Sequence, residues 1–391
     1  MKYISLLQFL NIFSRTEPMP TFSQWIKTTQ VRSDKKIISL EAYQKSRGIS
    51  MENLKMIYDH ILNKEDYLTR FYKISLDPCK ISPINRSKCS LSSPDISILD
   101  APMPRANLNN NAKVQYKNVI RNLHIRDILQ RTKSGWSGLP SFLDVLLDLY
   151  KRDIIDYKIL TPSALHYIKG GRIGSVFSSF YFRASIMNPY LVFSLNENVL
   201  QGTRIFTPTL GWSSYAYGFA ESPRTLEYVG CDVIPGVCQK TAQLLGLYPR
   251  IKTDFYCQPS ETLSTNKSFM TKYKNHFDVV FFSPPYYELE MYPGENQSTT
   301  TYKNYNEWLV GYWSKTIDIC HYVLQKGGKL CYILSSGGGQ NTSADILKDM
   351  NEITKKRFQW KTTLPMYNKN VHVTASSHRE TAEKIVIFMK A

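Results

Sequence analysis

The chain has 391 residues, 42% of them hydrophobic, and carries 49 Lys and Arg against 32 Asp and Glu, a formal charge of +17. That composition excludes a disordered chain, the absence of any run of eighteen apolar residues argues against a membrane-spanning helix, and the basic surplus favours a polyanionic partner, most commonly nucleic acid. Seven cysteines, an odd number with no Cys-x-x-Cys pair and no Cys/His metal spacing, read as free thiols of a reducing intracellular compartment, cytoplasm or nucleus, with no metal site.

The N-terminus, Met1 to Phe13, superficially resembles a signal peptide. Gln8 and Asn11 interrupt its apolar run and no small-residue cleavage site follows, so an amphipathic helix is expected instead. Residues 1 to 75 mix helical periodicity with charge, as in Leu40 to Lys45 and Leu54 to Leu62, and predict two or three helices. Residues 76 to 115, rich in Pro, Ser and Asn, have the composition of a linker.

The charge is unevenly spread. Residues 1 to 200 hold 28 basic and 16 acidic side chains (+12), and residues 201 to 391 hold 21 and 16 (+5). Between residues 80 and 133, ten Lys or Arg face three Asp, and Lys117, Arg121, Arg126, Arg131 and Lys133 recur at roughly helical intervals. One reading is a helix that contacts nucleic-acid phosphates; the other is a solvated face of a basic protein. Residues 141 to 170 read as helical, with Leu143, Val145, Leu146, Leu147 and Leu149 on one face, up to the break at Gly170-Gly171.

From about residue 200 strands and helices alternate, the pattern of a doubly wound α/β sheet. The expected strands are Arg204 to Pro208, Leu226 to Asp232, Lys252 to Cys257, Phe277 to Phe282, Lys329 to Leu334, Gln359 to Leu364 and Lys384 to Met389. Helices are expected through Tyr217 to Glu221, Val237 to Leu245, Tyr305 to Leu324 and Ala344 to Lys356. The fourth strand ends abruptly in Ser283-Pro284-Pro285-Tyr286. Two prolines can neither extend the ladder nor readily open a helix, so the chain leaves the sheet as a stiff loop at the edge where such sheets bind ligands. Gly211, in the turn after the first strand, and Asp232, about twenty residues on at the end of the second, fall on the same edge.

Ser-Pro-Pro-Tyr after an apolar strand resembles the catalytic motif of the S-adenosylmethionine-dependent amino-methyltransferases, which modify N6 of adenine or N4 of cytosine and carry Asp, Asn or Ser before Pro-Pro-aromatic. The likeness covers residues 201 to 335 and extends to the late strands. It implies a Rossmann-like, seven-stranded, doubly wound methyltransferase sheet. S-adenosylmethionine is the implied cofactor, held by Phe206, Thr207, Pro208 and Gly211 around its methionine part, Asp232 and Val233 at the ribose, and Gln258 and Ser260 near the adenine. Ser283, Pro284, Pro285 and Tyr286 would hold the target base, the first two accepting hydrogen bonds from its amino group and Tyr286 stacking on it. The family's first motif usually has an acidic residue or Phe before its glycines and often a second glycine, where this chain has Thr207-Pro208-Thr209-Leu210-Gly211-Trp212-Ser213-Ser214.

No space for an inserted recognition domain remains between Gly211 and Ser283 or after Leu334. The expected organisation is therefore a helical region at 1–75, a basic recognition region at 76–170, and a methyltransferase domain at 171–391. The loop from 288 to 304, with Glu288, Glu290, Tyr292, Gln297 and Ser298, is either a further substrate contact or a solvent loop. The expected activity is methylation of an exocyclic amino group, N4 of cytosine or N6 of adenine, on DNA ahead of RNA; a catalytically silent nucleic-acid-binding protein of the same fold is the rival.

Overall fold

The computed structural model describes residues 3–34, 36–78, 115–135, 140–337, 344–369 and 378–391; most of the expected linker lies outside them. The chain forms two compact units, one from residues 2–77 and 125–184, the other from residues 78–124 and 185–391. The stretch expected as one basic region, 76–170, is thus shared between them, and residues 171–184 belong with the N-terminal helices. The divide follows the apolar residues: Val119, Ile120 and Leu123 enter one core, and Ile125, Ile128 and Leu129 the other.

The first unit packs helices around an aromatic core. Phe71 stacks on Phe142 at 5.1 Å between ring centroids, and Tyr67 meets Phe177 at 5.2 Å. The His60 Nε2 lies 2.8 Å from the Tyr150 hydroxyl, and burial pushes the imidazole down to about 4, so the pair is a hydrogen bond between neutral groups. The stretch read as one long helix at 141–170 is interrupted. Helix Phe142–Lys151 is followed by strand Ile154–Asp156, which joins Gln30–Ser33 and Lys36–Ser39 in a three-stranded sheet, and only then by helix Pro162–Lys169. Arg15 braces the break by a bidentate bond to Asp153, at 2.8 and 2.6 Å.

The second unit holds the seven-stranded sheet. Its strands are β1 (Arg204–Thr207), β2 (Glu227–Cys231), β3 (Lys252–Tyr256), β4 (Phe277–Phe282), β5 (Leu324–Leu334), β6 (Gln359–Lys369) and β7 (His378–Met389). Their spatial order is β6-β7-β5-β4-β1-β2-β3, parallel from β5 through β3, with β7 antiparallel to both of its neighbours. All seven expected strands are present, and the doubly wound architecture is as expected. β4 reads as a continuous apolar run because both faces of it are covered. Successive strand residues point to opposite faces, and Phe281 meets Tyr215 and Phe219 while Phe282 meets Trp313. Helix α3 (Ser214–Glu221) therefore lies on one face and the π-turn Leu309–Ser314 on the other. That π-turn splits the helix expected from Tyr305 to Leu324, leaving Lys315–Val323 as its regular part. Helices α1 (Tyr116–Leu123) and α2 (Pro189–Leu195) belong with α3, through rings such as Tyr116 over Tyr190 and Tyr217.

The two central strands are tied at their base. The Asp278 carboxylate accepts the backbone N–H groups of Thr203 and Arg204 at 3.0 Å and the Thr203 hydroxyl at 2.5 Å, which sets where β1 begins beside β4. Asp278→Ala leaves these donors without their acceptor, and urea unfolding is expected to show a loss of about 3 kcal/mol.

Candidate active site

β4, β1 and β2 are adjacent and parallel, so the turn after β1, the acid after β2 and the loop after β4 emerge on one edge. The turn after β1 is left-handed for three residues, with φ of +50° at Gly211, +57° at Trp212 and +68° at Ser213. Only glycine adopts that region freely, so Trp212 and Ser213 must be held there. A buried polar chain holds them. Thr241 Oγ1 donates to the Val237 carbonyl at 2.7 Å, so its lone pair must take the Ser213 hydroxyl proton, also at 2.7 Å. Ser213 Oγ in turn accepts from His124 Nε2 at 2.9 Å. His124 is fully buried at the end of α1, and burial keeps its imidazole neutral, well below its usual range, which agrees with a lone proton on Nε2. A histidine, a serine and a threonine thus hold the left-handed turn at a residue that is not glycine. One step further, the Ser214 hydroxyl opens helix α3 buried and without a hydrogen-bond partner among the described residues.

A Cβ at Gly211 would stand 2.2 Å from the Tyr215 ring, so the missing side chain makes room for that tyrosine.

Asp232 lies just past β2, its residue half-buried. Its carboxylate accepts the Leu210 N–H at 3.1 Å and the Ile234 N–H at 3.0 Å. Burial pushes the carboxyl up to about 6 against these backbone donors. The Val233 N–H is a third donor to it, and a carboxylate has about four acceptor positions, so capacity remains to accept a hydroxyl group of a sugar.

In the loop after β4, Ser283 is bound on every side but one. Its N–H donates to the Tyr215 hydroxyl at 3.1 Å, its carbonyl accepts from that hydroxyl at 3.3 Å, and its own hydroxyl donates to the Ile333 carbonyl at 3.0 Å. With the proton spent on Ile333, Ser283 Oγ offers only lone pairs. Tyr286 is fixed through its oxygen, which accepts the Ser335 N–H at 3.0 Å and donates to Glu383 on β7 at 3.5 Å. Burial raises the Tyr286 phenol, and the Glu383 charge raises it further. Glu383 is itself raised by burial, and the positive charge of Lys117 opposes the rise. Behind the loop, the buried Glu290 carboxylate accepts the Ser185 N–H at 2.9 Å, and the ring of Tyr292 meets Trp212 at 5.9 Å. Of the segment at 288–304, Glu290 and Tyr292 thus pack against Ser185 and Trp212.

The other expected site residues divide by exposure. Phe206, Thr207 and Pro208 point into the core, with Thr207 Oγ1 at 2.7 Å from the Tyr228 hydroxyl, so only their backbone reaches the edge. Ser260 is buried, its hydroxyl 3.0 Å from that of Thr316. Val233 and Gln258 are half-buried, the amide of Gln258 bonded to Thr262 at 3.2 Å. Among the basic residues, Lys117 is only 6% exposed, a cation turned inward. Arg121 is half-buried, and Arg126, Arg131 and Lys133 are exposed, the last two in ion pairs with Asp127 and Asp144.

Tyr215, His124 and Glu383 were not among the expected residues. Tyr215 carried a faint signal in its position four residues after Gly211, one helical turn away.

No family model and no curated protein sequence matches the chain. Among solved structures, the N-methyltransferase NodS from Bradyrhizobium japonicum, in complex with S-adenosyl-L-homocysteine, is 12% identical over 51% of this chain and 83% of its own, with a TM-score of 0.33. TrmN from Thermus thermophilus is 13% identical over 54% of this chain and 50% of its own, with a TM-score of 0.36. A predicted O-methyltransferase from Agrobacterium tumefaciens is 14% identical over 52% and 81%, with a TM-score of 0.35. The likeness is one of fold alone.

The polar chain under the turn carries its own test. Ser213→Ala removes both bonds that hold the left-handed residue and strands the His124 N–H. Urea unfolding is expected to show a loss of about 3 kcal/mol, and Thr241→Ser, which keeps the hydroxyl, a much smaller one.

Proposed function

We propose that the protein is an S-adenosylmethionine-dependent methyltransferase acting on an exocyclic amino group of a nucleic-acid base, on DNA ahead of RNA. The observation that carries this reading is the hydrogen-bond polarity of Ser283. An exocyclic amino nitrogen is a poor nucleophile because its lone pair is delocalised into the ring. A site that accepts both N–H hydrogens in a tetrahedral arrangement restores the lone pair, and it needs acceptors, not donors. Ser283 Oγ has given its proton to Ile333, and the Pro284 carbonyl beside it accepts by nature. Pro284 and Pro285 stiffen the backbone that carries them, so the acceptors need no rearrangement during reaction. The Tyr286 ring, anchored by its hydroxyl at Ser335 and Glu383, is a fixed face for a base taken out of its stack.

The residues on the sheet edge suit the cofactor. The backbone of the turn from Thr207 to Ser213 and the unpartnered Ser214 hydroxyl would hold its amino-acid part, the lone pairs of Asp232 its ribose, and Val233, Gln258 and the backbone at Ser260 its base. When bound, it supplies an electrophilic methyl group on sulfur. The nucleic-acid partner is supported by the formal charge of +17 and by the exposed Arg126, Arg131 and Lys133, each of which has N–H donors beyond those its protein contact uses.

Nucleic acid from cells expressing the protein, digested to nucleosides and resolved by mass spectrometry, is expected to contain N4-methylcytosine or N6-methyladenine, chiefly in the DNA. Ser283→Ala should lower the mark strongly, to a level that is still measurable, while S-adenosylhomocysteine still binds. An RNA-only mark would move the substrate to RNA; no mark and no calorimetric binding of S-adenosylhomocysteine would leave a silent fold.

Cofactor affinity should also follow pH. Hydroxyl groups donate to Asp232 only while it is ionised, so protonation weakens binding. S-adenosylhomocysteine affinity is expected to be flat above pH 7 and, below the Asp232 value of about 6, to fall by up to about tenfold per unit. Calorimetry between pH 5 and 8 measures it, and Asp232→Asn should bind more weakly but without this dependence.

A further inference from the structure

We propose that Tyr215 is a positioning residue that links the turn after β1 to the catalytic loop and aims the Ser283 hydroxyl. The inference rests on the methyltransferase reading for its consequence in turnover, though the contacts themselves are independent of it. β4 stops pairing with β5 at Phe282, opposite Tyr332. Ser283 therefore has an amide and a carbonyl with no ladder partner, and the two prolines after it have no N–H to share in a turn. The Tyr215 hydroxyl meets both groups of Ser283, accepting at 3.1 Å and donating at 3.3 Å. Together with the bond from Ser283 Oγ to Ile333, these contacts leave the residue no rotational freedom. The direction of the Oγ lone pairs then depends on where the Tyr215 ring sits.

The ring is held from two sides. Its edge meets Phe281 at 5.2 Å, with the planes 84° apart, and it fills the space that a Gly211 side chain would occupy. Tyr215 is only 3% exposed, and burial raises its phenol, so the hydroxyl keeps the proton it donates. A shift of the turn at Gly211 would accordingly move the ring, and the ring would carry Ser283 with it.

Tyr215→Phe keeps the ring and removes the hydroxyl. Hydrogen exchange of the Ser283 amide is expected to accelerate at least tenfold in the variant, with the melting profile still cooperative. An unchanged exchange rate would overturn the clamp whether or not the protein is a methyltransferase. On unmethylated nucleic acid of the kind that the wild-type protein marks, Tyr215→Phe should lower kcat about a hundredfold relative to wild type, with KM and S-adenosylhomocysteine affinity within about twofold. A matching loss of cofactor affinity would assign the residue to cofactor binding instead and overturn the positioning role. Adding Tyr215→Phe to Ser283→Ala should cost little more than Ser283→Ala alone, because the hydroxyl it aims is gone; a full further hundredfold loss would also overturn it. Accelerated exchange in a wild-type chain without transferase activity would leave the clamp standing and remove only the methyltransferase reading.

Discussion

Two consecutive prolines at the end of a central strand create a polar debt. The strand brings Ser283 to the edge of the sheet with its amide and carbonyl unpaired, and Pro284 and Pro285 have no N–H to satisfy anything nearby. Every neighbouring element answers that deficit. α3 sends the Tyr215 hydroxyl, the end of β5 offers the Ile333 carbonyl to Ser283 and the Ser335 N–H to Tyr286, and β7 contributes Glu383. Those bonds hold the loop in one arrangement, and a pre-set arrangement is what the proposed electrostatic role of its acceptors would need.

The turn after β1 meets the same need with other means. A second glycine would enter the left-handed region freely, whereas Trp212 and Ser213 occupy it under strain. The His124, Ser213, Thr241 and Val237 chain offsets that strain, and its direction is fixed because it ends on a backbone carbonyl that can only accept. The bulk of Trp212 then has a use glycine could not supply, since its ring meets Tyr292 from the segment after the catalytic loop. Turn and loop are thereby joined twice, by Tyr215 on one side and by Trp212 with Tyr292 on the other.

Much of this was legible in the sequence. The apolar run Phe277 to Phe282, the alternation of strands and helices, and the punctuation by Gly211 and by Pro284-Pro285 are local signals, and local signals set the seven strands and their edge. The three-stranded sheet of the first unit was not legible, because Ile154–Asp156 pairs with a strand more than a hundred residues earlier and is too short to show a period. His124 and Glu383 have no local signal, and Tyr215 only a faint one, for a related reason. Their roles are hydrogen bonds across 68, 89 and 97 residues of chain, and no window of sequence contains both partners. Gly211 marked the turn in the sequence, but that its missing Cβ makes room for the ring of Tyr215 showed only in the fold.

Lys117 shows why charge counted along a chain does not map directly onto a binding surface. On the sequence it begins a basic stripe; in the fold it is buried, and its charge acts on the Glu383 carboxyl. A buried carboxylate without a counter-charge is driven towards its neutral form. A neutral Glu383 would be a weaker acceptor for the Tyr286 hydroxyl, so the ammonium on α1 helps to keep the aromatic wall of the site in place from a distance. The exposed cations Arg126, Arg131 and Lys133 belong to the other compact unit. The basic stretch therefore does two kinds of work on the two sides of His124, internal electrostatics before it and surface charge after it.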